Sequence, residues 1–531
     1  MRRGPGRIGA LIGAVALMTN GGAWAQSSAG APVADKPAAA PAPEPPPTTT
    51  VAPSPVITET PVGAQTLAQL DLFSAGRETG LGQDLWKSSS ADIARAVIPT
   101  LRDAPLSPAA AALGRDLLAT ASIAPEGAGN DAALAAARAS AVLALGDAEG
   151  ATDILDHTPG VSSSSALSQV AAEAALITGR NDRACAVGEA LATDRDGIYW
   201  LRLRAFCQAL AGKTDIAQLT YTLANQQVRD PYFARLMGAL LAGGTDAGDA
   251  SLRNGLDYAL SVQLKLDLTP AMPAASRAIA QHLASLPAAP PAAAPVLAGG
   301  APVAPPPPPP PPATEADVLA PLRAAANFSD YATVAKAEKP AISQLVELKT
   351  PLTAPVALAT AAIVANDLAD ADAIRAGLAV DGSGGVDVLD VTILDATLAA
   401  ARGATDPSLI NRLIQLTQTK DSRERARAEG AAELLAALSP SLDGPARARL
   451  AAFDLPPGGG PAARLIAMEM AASAGRKGEA ALLALWIAEA DGEAGPSLED
   501  RIRIERALVQ VGLGANAQAF AVEGLAQLQA R

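Results

Sequence analysis

Three glycines constrain this chain more than any other feature. Gly146, Gly179 and Gly212 stand 33 residues apart, in Leu145-Gly146-Asp147, Thr178-Gly179-Arg180 and Ala211-Gly212-Lys213, and each closes a run rich in alanine and leucine. Glycine tolerates the left-handed backbone that ends a helix, so each marks a helix stop. Ala151, Ala184 and Ala217 follow five residues later, inside the next helical run, where a small side chain permits close packing. A fixed period of this length signals stacked helical hairpins, and Gly243-Gly244 begins a decayed further copy. The composition points the same way. Of 531 residues 49% are hydrophobic but only 3% aromatic, so the apolar content is small or aliphatic. Alanine favours helix and buries little area per residue, which calls for many closely packed helices and argues against extended β architecture.

The pattern resembles the tetratricopeptide repeat, a helix-turn-helix unit of about 34 residues. The turn glycine with its small residue is present at Gly146/Ala151, Gly179/Ala184 and Gly212/Ala217, and Ala139, Ala172 and Ala205 lie seven residues before each turn. Three features depart from the family: its aromatic residue is missing, its helix-ending proline is matched only approximately, by Pro231, and the period of 33 is one residue short. The resemblance covers about 100 residues. It implies units that stack into a superhelix and bind peptides or partner proteins along a concave face.

Prolines divide the chain. Ten fall between Pro32 and Pro61 and thirteen between Pro287 and Pro312, together 23 of the 43. Pro305 to Pro312 is an unbroken octaproline, a stiff polyproline II spacer of about 25 Å, or alternatively a docking site for a proline-reading partner. The expected organisation is a disordered Pro/Ala-rich tether at 26–61, an N-terminal helical-repeat domain at 62–286, a linker at 287–313 and a second helical-repeat domain at 314–531. In the second block, breaks between helical runs fall near Asn366, Gly403, Ser439, Gly475 and Gly512, at intervals of 37, 36, 36 and 37. The expected fold class is all-α, an α-solenoid of antiparallel helical hairpins in two blocks.

Arg2, Arg3 and Arg7 precede the apolar run Ile8 to Met18, and Ala23-Trp24-Ala25 supplies small residues at a cleavage site. Residues 1–25 therefore read as a secretory signal peptide cut before Gln26. No later stretch reaches the roughly 20 apolar residues that span a bilayer. A periplasmic or secreted chain without a membrane span follows, in an oxidising compartment. Cys185 and Cys207 are the only cysteines, and their midpoint, Asp196, falls in the turn-like Thr193-Asp194-Arg195-Asp196-Gly197. Two helices folded back across that turn would bring them into disulfide range.

The net charge of −13 and the absence of any Lys/Arg run longer than two exclude nucleic acid as a natural partner. With only His157 and His282, histidine-based metal sites and Ser-His-Asp chemistry have little material, and neither metal nor cofactor is expected. Exported superhelical domains of this kind resemble the non-catalytic part of some peptidoglycan lytic transglycosylases, but the Glu-Ser motif of their catalytic domain does not occur. The glycine run Gly458-Gly459-Gly460 lacks the Lys-Ser/Thr of a phosphate loop. No enzyme is expected. Six of the fifteen aromatics lie between Tyr199 and Phe233, and Tyr199, Arg202 and Phe206 share one helical face by spacing, which makes them candidate partner-binding residues. The expected work is that of a scaffold or adaptor binding proteins or peptides of the cell envelope. The alternative is a factor that binds or processes peptidoglycan.

Overall fold

The computed structural model describes residues 71–244, 247–286, 313–349, 351–379, 385–404, 406–418, 420–439, 442–454 and 456–530. The leader at 1–25, the tether at 26–61 and the octaproline lie outside them. The fold is all-α; among the described residues no strand occurs, only the isolated bridges Arg77–Thr120 and Ser90–Glu126. No helix among them is long and apolar enough to cross a membrane.

Helices α1 (Ala91–Val97) and α2 (Pro108–Ala119) come first among the described residues. Three hairpins follow: α3 (Ala132–Ala144) with α4 (Ala148–His157), α5 (Ser165–Ile177) with α6 (Asn181–Ala190), and α7 (Ile198–Leu210) with α8 (Thr214–Gln227). Single helices α9 (Pro231–Leu241), α10 (Gly255–Gln263) and α11 (Arg277–Ser285) complete the first block. The second block starts with α12 (Glu315–Ala324) and α13 (Phe328–Glu347). Next come α14 (Pro355–Val364) and α15 (Leu368–Ala376), then α16 (Val388–Ala401) and α17 (Pro407–Leu416), then α18 (Ser422–Leu438) and α19 (Gly444–Leu450). The chain ends with α20 (Ala462–Ser473) and α21 (Lys477–Ala488), then α22 (Leu498–Gln510) and α23 (Gly514–Ala530). Asn366, Gly403, Ser439, Gly475 and Gly512 each fall between the two helices of one pair.

Gly146 shows how the turns work. At φ +89° its N–H donates to the Leu143 carbonyl at 3.1 Å, and the N–H of Asp147 donates to Val142 at 3.2 Å, which satisfies the carbonyls that a helix end leaves open. The same two bonds close the helices before Gly179, Gly212, Gly475 and Gly512, and before Asn366, which also takes a positive φ. Ala151, Ala184, Ala217, Ala480 and Ala517, five residues on, are all fully buried, as are Ala139, Ala172 and Ala205. In the first block α4 packs on α5, α6 on α7 and α8 on α9. Cys185 in α6 and Cys207 in α7 form a disulfide with Cα atoms 5.7 Å apart, in the antiparallel arrangement the turn implied.

Two features go beyond stacked hairpins. After α9 the chain turns back, so that α10 packs on α5 and α11 on α3 and α5, with Ile279 fully buried beneath. At the other end α23 packs against α14, α16, α18, α22 and α2, whereas a unit in a plain stack touches only its neighbours. Its composition explains this: Ala517, Ala521 and Ala526 are fully buried, and a Cβ on Gly524 would stand 2.7 Å from Arg501 and 2.9 Å from Leu434. A helix with small residues on several faces can be approached from several sides.

The two blocks share their main hydrophobic core, which runs from Leu72 to Leu525. Specific bonds accompany it. The N–H of Ser90 donates to Glu479 at 2.8 Å, the Thr100 hydroxyl to Glu489 at 3.1 Å, and the N–H of Ala109, near the start of α2, to Glu523 of α23 at 3.0 Å. Arg138 of α3 anchors the irregular segment before α1. Almost unexposed, it donates to the carbonyls of Leu118, Phe73, Ala75 and Thr120 at 2.6 to 3.2 Å, and burial pulls its pKa down to about 10.

Candidate functional site

A cavity of about 520 Å³ opens where α3, α5 and α7 meet the returning chain. Residues 33 apart on α3 and α5 line two of its walls. Ala137, Ser140 and Ala144 of α3 line one wall, and Val170, Glu173 and Ile177, each one period later on α5, line the next. Tyr199 of α7 adds a third side, while Arg253 and Asn254 before α10, and Arg277 of α11, close the cavity from the returning segment.

Three polar atoms at this cavity are shielded from water: Oε1 of Glu173, the hydroxyl of Tyr199, which faces Glu173, and Nε of Arg277, which has no hydrogen-bond partner. The other oxygen of Glu173 accepts the Gly255 N–H at 2.6 Å, and a Cβ at that position would stand 2.9 Å from the same oxygen and 3.1 Å from the Glu173 carbonyl. Burial pushes the Glu173 carboxyl up, against the Gly255 N–H that holds it down. Burial, the adjacent Glu173 charge and the hydrogen bond toward that carboxyl push the Tyr199 hydroxyl well up. Burial lowers Arg277, whose nearest acids are Glu493 and Asp103. Orphaned buried groups are costly, and a ligand that supplies their partners recovers that cost. A carboxyl shifted toward its neutral form, a phenol and a guanidinium offer donors and acceptors together, which suits the amides and terminal carboxylate of a peptide.

The sequence candidates separate. Tyr199 lines the cavity. Phe206 is fully buried in the core and presents nothing to a partner. Arg202 is held internally: it donates to Asp230 at 3.3 Å and to the Val228 carbonyl at 3.1 Å, and its guanidinium lies 5.3 Å from the centre of the Phe233 ring. Asp230 also receives Arg253, which reaches Asp257 at 2.8 Å, so Arg202 belongs to a network that ties α7, α9 and α10 together. The three share one face of α7 by spacing, but only Tyr199 reaches the cavity, while Arg202 is taken up by Asp230 and Phe206 by the core. Glu173 and Arg277 were not singled out from the sequence. Glu173 carried a usable signal, since it stands one repeat period after Ser140 and is the only acid in α5.

A second cavity of about 710 Å³ lies between α18, α19 and α22, where Glu433 is pushed up to about 7 by burial and by Glu429. Among the described residues no group of three or more His, Cys, Asp or Glu side chains is placed to hold a metal ion. Comparison with known proteins finds no matching family, no matching curated protein and no matching solved structure.

Proposed function

We propose that this chain is an exported helical-repeat protein that captures a protein or peptide segment of the cell envelope in the cavity between α3, α5 and α7, acting by recognition and without covalent chemistry. The observation that carries this reading is the convergence of Glu173, Tyr199 and Arg277 on one cavity with polar atoms shielded from water. The repeat register supports it, because the same helical face of α3 and α5 supplies two of the walls. The disulfide is compatible with an oxidising compartment.

The test compares affinity capture by the wild-type chain with capture by Ala137→Trp, which fills the cavity from a half-buried position. One protein or peptide recovered near stoichiometry by the wild type and lost with the variant supports the reading. Recovery unchanged by the variant contradicts it. Co-sedimentation with purified peptidoglycan that soluble glycan competes away would replace it with a wall-binding function.

A further inference from the structure

The cavity of about 710 Å³ between α18, α19 and α22 shares no residue with the one between α3, α5 and α7, and its lining has a different character. Ile502, Arg506 and Val509 follow one face of α22 at spacings of four and three, so an arginine stands between two aliphatic side chains. Leu450, at the end of α19, and Leu442, just before that helix, add apolar surface. All four aliphatic side chains are only half-buried, so the chain itself leaves part of their surface open. A lining of this kind accepts the apolar body of a small molecule.

The charges select its head group. Arg447 and Arg506 are exposed at the cavity and make no ion pair among the described residues; Arg447 donates to the Leu442 carbonyl at 3.1 Å. Arg503 is already held, by Glu469 at 2.8 Å and by Glu499 at 3.8 Å. Two guanidiniums are therefore open to an incoming anion. Beside them Glu433 lines the cavity, with an Oε2 that is shielded from water and makes no hydrogen bond among the described residues. Pushed up to about 7, its carboxyl offers a donor when protonated and offsets one of the two positive charges when ionised. Two guanidiniums and one titrating carboxyl suit a single negative charge better than a double one, and the guanidinium fork matches the geometry of a carboxylate. We propose that this cavity binds a small amphiphilic monocarboxylate, with its aliphatic body against Leu442, Leu450, Ile502 and Val509 and its carboxylate toward Arg447 and Arg506. This binding is independent of peptide capture at the other cavity.

Isothermal titration calorimetry of the full chain at pH 7, with octanoate as the probe, tests the assignment. Octanoate should saturate with a dissociation constant below about 1 mM. The compounds 1-octanol and octylammonium share its chain but lack the negative charge, and should bind about tenfold more weakly or worse. Arg447→Glu and Arg506→Glu should each weaken octanoate by about tenfold or more, with an unchanged melting temperature because both side chains are exposed. Ala137→Trp, in the other cavity, should leave octanoate binding as it is. Absence of saturable octanoate binding overturns the proposal. So does equal binding of 1-octanol, which would mark an unselective apolar crevice, and so does octanoate binding that survives both charge reversals or is abolished by Ala137→Trp.

Discussion

Gly478 lies directly against the indole of Trp86, although the two residues belong to opposite blocks of the chain. A Cβ built on Gly478 would fall 2.3 Å from Cε3 of Trp86, and the Gly478 N–H donates to the Leu85 carbonyl at 2.9 Å. The ring is buried, so it has nowhere to move. Gly478→Ala should therefore destabilise the protein by about 1–3 kcal/mol, the usual cost of overpacking a core. Chemical denaturation should show this as a lower midpoint with an unchanged slope. An equal loss of signal from both blocks is expected, because the contact is common to them.

Arg501 and Glu523 form an ion pair at 2.9 Å with side chains only 1% and 2% exposed. Glu523 also accepts the N–H of Ala109, so this pair fixes α2 against α22 and α23. Glu523→Ala should cost about 3–5 kcal/mol, since it leaves a buried guanidinium without its counter-charge. The double variant Arg501→Met with Glu523→Leu should cost clearly less than Glu523→Ala alone. Equal losses in the single and double variants would show that the charge plays no part.

Glu505 stands seven residues before Gly512, at the position where Ala139, Ala172 and Ala205 precede the turns of the first block. It is fully buried, neither carboxylate oxygen has a partner, and burial raises its pKa well above the ordinary value despite nearby Arg501. The folded state thus holds this proton more tightly than the unfolded state does. The stability it contributes is complete below the unfolded pKa of about 4.3 and is lost as pH rises through the folded value. Glu505→Gln keeps the shape without the ionisation. Its melting temperature should exceed that of the wild type at pH 8, and the gap should close toward pH 4. Parallel pH profiles would contradict this assignment.

The Cys185–Cys207 disulfide closes a sequence separation of 22. Replacing both cysteines with serine should remove about 3 kcal/mol of stability, and reducing the wild type should produce a similar loss. The reductant should leave the variant unaffected. A wild type equally stable in both redox states would show that the crosslink constrains the unfolded chain little.

Local rules made the helical pairs legible. Glycine and asparagine suit the left-handed backbone that ends a helix, so Gly146, Gly179, Gly212, Asn366, Gly475 and Gly512 could be read from spacing. The disulfide was legible for the same reason, because two residues equidistant from a turn must meet. Phe206 and Arg202 were candidates for partner binding by spacing along α7 alone, which does not reveal that Asp230 and the Phe233 ring take up Arg202 or that Phe206 falls in the core. The contact between Trp86 and Gly478, and the central place of α23, depend on packing between residues remote in sequence, which no local period encodes. The cavity lay between these extremes: the 33-residue offset linking Ser140 to Glu173 was present in the sequence, but Arg277 arrives from the returning segment, to which that offset does not extend.

The central claim, that the cavity between α3, α5 and α7 is the recognition site, is tested most directly by position-specific photo-crosslinking in intact cells. A photoreactive residue at Ala137 lies in the cavity lining, and one at Asp153 lies on the exposed face of α4 as a control. The account predicts a discrete crosslinked product from position 137, none from position 153, and loss of that product when Arg277→Ala is added. The same product from both positions, or a product from position 137 that survives Arg277→Ala at full yield, would contradict it.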